Sequence, residues 1–136
     1  MIFIRLWHQS IISFLPKNQL LGQHREICAL RGLGFNKKHK VVDYVFLHPY
    51  SDLFHFHLII IKEMKKRGYF INPLWENIHY RGKKLGMDYS LFTLEYPSKK
   101  LIYFEHDFLY LINCLKNLER KNIFISYYRI MYFNKF

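Results

Sequence analysis

The sequence predicts a mostly α fold: one compact domain over residues 1–136, with about three main helices joined by long irregular connections. Three observations carry this expectation. Apolar residues recur at spacings of three and four in separate segments, which is the period of a helix with one buried face. Proline and glycine stand at the ends of those segments, as they do at helix starts and stops. A chain of 136 residues also has enough material for a real core, so it needs no disulfide staple.

The first helix is expected in "LPKNQLLGQHREICALRG", opened by Pro16 as first helical residue and closed by Gly32 just past its end. Leu20, His24, Ile27 and Arg31 fall on one stripe, with Leu21 and Cys28 beside it. Gln19, Gln23, Glu26 and Leu30 fall on another, so Glu26 is off the most apolar stripe. Gly22 costs a helix interior about 1 kcal/mol against Ala. Its missing side chain either opens space one turn before Glu26 or lets a neighbouring helix pack closely, and spacing favours the second explanation.

The second helix is expected in "HPYSDLFHFHLIIIKEMKKRGYF", with Ser51 or Asp52 as N-cap, an inward stripe Leu53, Phe56, Ile60 and Met64, and Gly68 as its stop. Lys65, Lys66 and Arg67 crowd the last turn, where cations suit the helix dipole. The third runs from about Asp107 to Lys121, with Phe108, Leu111, Leu115 and Leu118 inward. Between them, "INPLWENIHYRGKKLGMDYSLFTLEYPSKK" is broken by Asn72-Pro73, Arg81-Gly82 and Pro97, and reads mostly as loop. The end, "NIFISYYRIMYFNKF", reads as a strand or an irregular tail.

Lys plus Arg number 21 against 10 for Asp plus Glu, a formal net charge of +11 with histidines neutral. That excess favours a polyanionic partner. Aromatic residues make up 19% of the chain, and no apolar run approaches the roughly 20 residues that span a bilayer. The start lacks a signal peptide's long apolar region. A soluble cytoplasmic protein with no membrane attachment is expected, and a monomer. Cys28 and Cys114 stand singly in apolar patterns, which suits buried thiols in a reducing compartment.

Arg25 and Glu26 are adjacent, so on a helix they point about 100° apart and serve different partners. A solvated surface pair is the ordinary explanation of such a dipeptide. His48, Asp52, His55 and His57 suggest a metal cluster at first, but His55 and His57 diverge on a helix, and no metal is expected. The loop "RGLGFNKKHK", with Lys37 and Lys38, combines glycine-rich backbone with cations, as phosphate-contacting loops do; a solvated basic loop has the same composition. "HYRGKK", with Arg81, Lys83 and Lys84, is similar. The aromatics of the tail suit either base stacking or core cover.

The segment "QLLGQHREICALRG" resembles the helix of the pyrimidine-dimer DNA glycosylases of the endonuclease V type, whose pattern L-x-x-x-Y-R-E carries the catalytic glutamate. His24 stands where those enzymes have tyrosine. "YSDLFHFHLIIIKEMKKRGYFI" is similar to that family's next long helix, with the same K-R-G-aromatic turn. With "RLWHQSIISFLP", "YVFLHPY" and "YRGKK", the chain resembles a bacterial branch of that superfamily.

The resemblance implies a helical domain that uses no metal or organic cofactor, binds damaged double-stranded DNA and extrudes a nucleotide. It would cleave the glycosidic bond and then the strand at the abasic site, through a Schiff base on a protein amine. By position, Glu26 inherits the catalytic carboxylate, Arg25 the adjoining phosphate or base contact, and His24 the tyrosine's place. The family's histidine before the glutamate becomes Gln19, and its arginine after it becomes Ala29, with Arg31 near enough to substitute. The N-terminal segment should approach Glu26, which adds His8 to the DNA-contacting candidates. The nucleophile would be the terminal α-amine: Ile2 disfavours removal of Met1, while the family's initiator methionine falls on Ile4. A noncatalytic nucleic-acid-binding module of the same fold, or an enzyme acting on another modified base or on RNA, are the rival functions.

Overall fold

A computed structural model describes residues 6–32, 44–91 and 101–134. Its elements, in order, are a 3-10 helix Gln9–Phe14, α1 Lys17–Arg31, a 3-10 turn Tyr44–Leu47 and α2 Tyr50–Lys66. A 3-10 turn Pro73–Glu76, α3 Phe108–Glu119 and α4 Tyr127–Asn134 follow. The described residues are mostly helical, as expected, and their only β pairing is an isolated antiparallel bridge between Tyr80 and Met87. No described helix is long and apolar enough to cross a membrane.

α1 packs on α2, and the 3-10 helix Gln9–Phe14 lies against both α2 and α4. The core between them takes Leu20 and Ile27 from α1, Leu53, Phe56, Ile60 and Met64 from α2, Leu111, Cys114 and Leu118 from α3, and Ile130 from α4. Each such side chain contributes about 1.5–3 kcal/mol when fully buried. Residues 6–15 add Leu6, Ile11 and Leu15, so this stretch is part of the core.

The helix ends differ from the sequence reading in instructive ways. α1 takes Pro16 as N-cap, one position outside the expected place, and α2 begins at Tyr50 behind Pro49. A proline ring's fixed φ suits entry into a helix either way. Ser51 and Asp52 therefore lie inside α2, and Ser51 is buried. At the other end Gly68, at φ +85, closes a Schellman turn in which Tyr69 N donates to Met64 O at 2.9 Å and Gly68 N to Lys65 O at 2.9 Å. Arg67 is not merely a dipole partner: its guanidinium donates to the Leu15 carbonyl at 2.7 Å and pairs with Glu63 at 2.8 Å, clamping α2 to the N-terminal stretch.

Asp107 caps α3 by accepting from Tyr110 N at 2.8 Å. Phe108, expected inward, is exposed, and Cys114 occupies the inward stripe with Leu111 and Leu118. The first turn of a helix overhangs the core's edge, so periodicity alone misassigns it. The tail is helical, not strand or irregular chain. Ser126 starts it, its carbonyl accepting from Ile130 N at 3.1 Å, and Ile130 is its buried anchor. Arg129 lies over the ring of Phe14, 5.1 Å from its centre.

Candidate active site

α1 is enclosed on more sides than one apolar stripe would require. Leu20, Ile27 and Arg31 are buried on the expected stripe, but Gln23 and Leu30, on the stripe that carries Glu26, are buried too. Gln23 explains this. Its Oε1 accepts from Trp7 N at 2.6 Å, so the N-terminal segment crosses α1 one turn before Glu26. The carboxylate is half-buried at that crossing, Arg25 beside it is exposed, and Gln19 and His24 are half-buried. A Cβ added to Gly22 would meet only the Arg25 guanidinium, at 3.8 Å, so among the described residues no neighbouring helix packs on this glycine.

The segment is also held from the far side. Gln9 N donates to His106 Nδ1 at 3.0 Å, which leaves the His106 proton on Nε2 to donate to Tyr44 at 2.6 Å. Tyr44 in turn meets Tyr110 at 3.2 Å, and Tyr110 donates to the Leu6 carbonyl. Burial holds the His106 pKa down to about 3, so the ring stays a neutral linker. His8 is buried against it, its Nδ1 accepting from Ser10 N at 3.1 Å as the cap of the 3-10 helix. His8 therefore folds the N-terminal segment and is not presented to a duplex.

Two of the cations assigned to DNA serve inside the protein. Arg31 is fully buried and spends its donors on Tyr50, on His57 and on the carbonyls of Trp75, Asn77 and Tyr80. The guanidinium also lies over the rings of Phe54 and Trp75, at 5.1 and 5.0 Å. Carbonyl dipoles and aromatic faces together replace the water it has lost. Arg81 is buried beside it and donates to the carbonyls of Arg31 and Gly32 at 2.9 and 3.0 Å, closing the C-terminal end of α1. Glycine suits position 32, because a Cβ would lie 3.2 Å from the Arg81 carbonyl, tighter than an ordinary contact.

Arg81 also roots a tight reversal. Arg81 N donates to Gly86 O at 2.8 Å and Asp88 N to His79 O at 2.7 Å, with Gly82 and Gly86 at positive φ. Lys83 and Lys84 sit exposed at its tip. Lys37, Lys38 and Met1 lie outside the described residues.

Across the α1–α2 contact, His24, Cys28 and His57 bring their ligand atoms within 4.8 Å of one another, a grouping the sequence reading missed. His48, considered with His57 on sequence, instead pairs with Glu105 at 2.9 Å and lies 3.8 Å from Asp52. The polarity of the new cluster is wrong for a cation. Arg31 Nη1 lies 2.8 Å from His57 Nδ1, where a metal-bound histidine needs a hydrogen-bond acceptor. Burial raises the Cys28 thiol to about 12, so the free thiol is no nucleophile at neutral pH.

α1 thus carries a half-buried Glu26 beside an exposed Arg25, with the N-terminal segment bonded to the same helix at Gln23, one turn earlier. The family model described as pyrimidine dimer DNA glycosylase matches residues 4–77, more than half of the chain. The protein belongs to that family. No curated protein and no solved structure matches it. The matched span holds α1, α2 and the first carbonyls that receive Arg31, while Arg81, the Lys83–Lys84 tip, α3 and α4 lie beyond it.

Proposed function

We propose that the protein is a DNA repair glycosylase with abasic-site lyase activity, acting on damaged duplex DNA. One observation supports the reading most: the family match covers all of α1, with Arg25 and Glu26 on it and Gln23 bonded to Trp7 one turn earlier. An unprotonated amine attacks C1′ of the extruded nucleotide, forming a C–N bond as the glycosidic bond breaks and the base leaves with a proton. Ring opening gives the Schiff base. The Glu26 carboxylate then accepts the C2′ proton, and the electron pair released expels the 3′ phosphate, cutting the strand. A terminal α-amine, with a pKa of about 7.7–8.0, is free at working pH to a degree that lysine is not. Extrusion costs least where damage has already weakened pairing. Arg25 contacts phosphate or base at the rim, and Lys83 and Lys84 engage the duplex backbone.

The test is borohydride trapping on abasic and dimer-containing duplexes, followed by mass spectrometry of the adduct. DNA joined to the first residue of the mature chain, with trapping abolished by terminal acetylation, is the expected result. A lysine adduct keeps the reaction class and replaces the nucleophile. Folded, DNA-binding protein that forms no adduct is a binding module only.

A further inference from the structure

We propose that the α1–α2 contact is an acid-labile joint, closed only while His57 and His24 are both uncharged and both carry their proton on Nε2. The inference is independent of the glycosylase reading. It begins at Arg31, whose five N–H donors are all committed: Nε–H to Tyr50, the Nη1 pair to His57 Nδ1 and the Trp75 carbonyl, and the Nη2 pair to the carbonyls of Asn77 and Tyr80. A guanidinium accepts nothing, so the 2.8 Å contact obliges His57 Nδ1 to accept. His57 is therefore neutral, with its proton on Nε2. That nitrogen lies 2.9 Å from His24 Nδ1 and donates to it, which puts the His24 proton on Nε2 as well. A buried cation on α1 thus fixes the state of a histidine on α2, and through it that of a second histidine back on α1.

A proton added anywhere along this chain sets two donors against each other. On His57 Nδ1 it faces Arg31 at 2.8 Å, and on His24 Nδ1 it faces the His57 N–H at 2.9 Å. Neither ring escapes by changing tautomer, because His57 would give up Arg31 and His24 would give up His57. The charged and titratable groups facing the pair are Arg25, Cys28 and Arg31 from α1, with each histidine facing the other and Tyr50 of α2 reaching them through Arg31. The turn Pro73–Glu76 lays the Trp75 ring 5.8 Å from His57, and its Glu76 pairs with Lys65 instead. Burial first, then cationic neighbours, opposes charge on both rings: Arg25 and Arg31 for His24, Arg31 and His24 for His57. An opened joint returns both rings to water, where an ordinary histidine titrates near 6.5. The open form then binds the protons that the closed form refuses, so closure is complete above about pH 6.5 and is lost as pH falls below it. Since α1 bears Arg25 and Glu26, acid that opens the joint frees the helix of the proposed site.

Nitrogen-15 NMR of the intact protein at pH 7 should find Nδ1 bare and Nε2 protonated in both His24 and His57; an Nδ1-protonated tautomer, or an imidazolium, at either ring overturns the joint. Hydrogen exchange of the α1 and α2 amides, corrected for the intrinsic rate at each pH, reads the opening constant. Between about pH 5.5 and about pH 4.5 that constant should rise more steeply in wild type than in His57→Gln, by up to about tenfold per pH unit for the one proton removed. Glutamine keeps an acceptor for Arg31 and a donor for His24 but does not titrate. His24→Asn keeps an acceptor for His57 and should flatten the same slope. His106 belongs to the separate network of Gln9 and Tyr44, so its own acid response is common to all three proteins. Slopes in both variants equal to that of wild type overturn the proposal. Should one variant fail to fold, the other variant and the NMR tautomers still decide it.

Discussion

The backbone N–H of Trp7 donates to Oε1 of Gln23 at 2.6 Å, and this bond ties the N-terminal segment to the helix that bears Glu26. Gln23→Leu leaves that amide without its acceptor in a buried place, at a cost of about 1–3 kcal/mol. Urea denaturation should register the loss, and trapping on abasic DNA should slow because the segment is no longer tied at Gln23 to the helix that bears Glu26. Unchanged stability together with unchanged trapping would show that the bond is incidental.

Glu26→Gln should abolish strand cleavage at an abasic site and leave duplex affinity within a few-fold of wild type, since an amide cannot accept the C2′ proton. Cleavage assays and a binding titration on the same preparation separate the two effects. If affinity and thermal stability collapse together, the carboxylate is structural.

Arg31→Met should destabilise the fold by about 3 kcal/mol or more. The carbonyls of Trp75 and Tyr80 lose the guanidinium as donor, at about 1–3 kcal/mol apiece where water cannot replace it, while Asn77 O keeps the N–H of Tyr80. Arg31→Lys should fall between, because an ammonium cannot span the same acceptors with a planar fork. Equilibrium unfolding of both variants checks the order, and a Met variant as stable as wild type would contradict it.

Affinity for a short duplex should fall steeply with salt, with a log-log slope of about −0.9 per phosphate contacted. Replacing Lys37, Lys38, Lys83 and Lys84 by glutamine should flatten that slope. Arg25→Gln should lower affinity at every salt concentration. Salt-insensitive binding would remove this basic face as the DNA site.

Acid should weaken the fold through His106, whose folded pKa is held near 3 by burial. An unfolded histidine titrates near 6.5, so between these values the unfolded chain binds the extra proton. Stability is therefore full above about pH 6.5 and declines as pH falls toward 3, by up to about 1.4 kcal/mol per pH unit for this one group. His106→Gln should reduce the slope of stability against pH across that window. A slope that is unchanged would assign the acid sensitivity elsewhere.

Periodicity and punctuation in the sequence were enough to locate α1, α2 and α3, because a helix that buries one face must repeat its apolar residues every three or four positions. The L-x-x-x-H-R-E pattern made Glu26 the catalytic candidate for the same local reason: all its residues share two turns of one helix. α4 escaped notice because a tail of alternating aromatics has no clean period, and only the seat of Ile130 in the core makes it helical. The roles of Arg31 and Arg81 required the tertiary structure. A cation reads as solvent-facing unless buried acceptors await it, and those acceptors come from residues 75–80 and from the end of α1 itself. Arg31's place on the stripe of Leu20 and Ile27 was the one available sign. Gln23 and His57 were likewise ordinary members of helical stripes until folding brought Trp7 to one and His24 to the other. Local spacing follows from the backbone's own geometry, whereas these partners lie far apart in sequence and meet only when the helices pack.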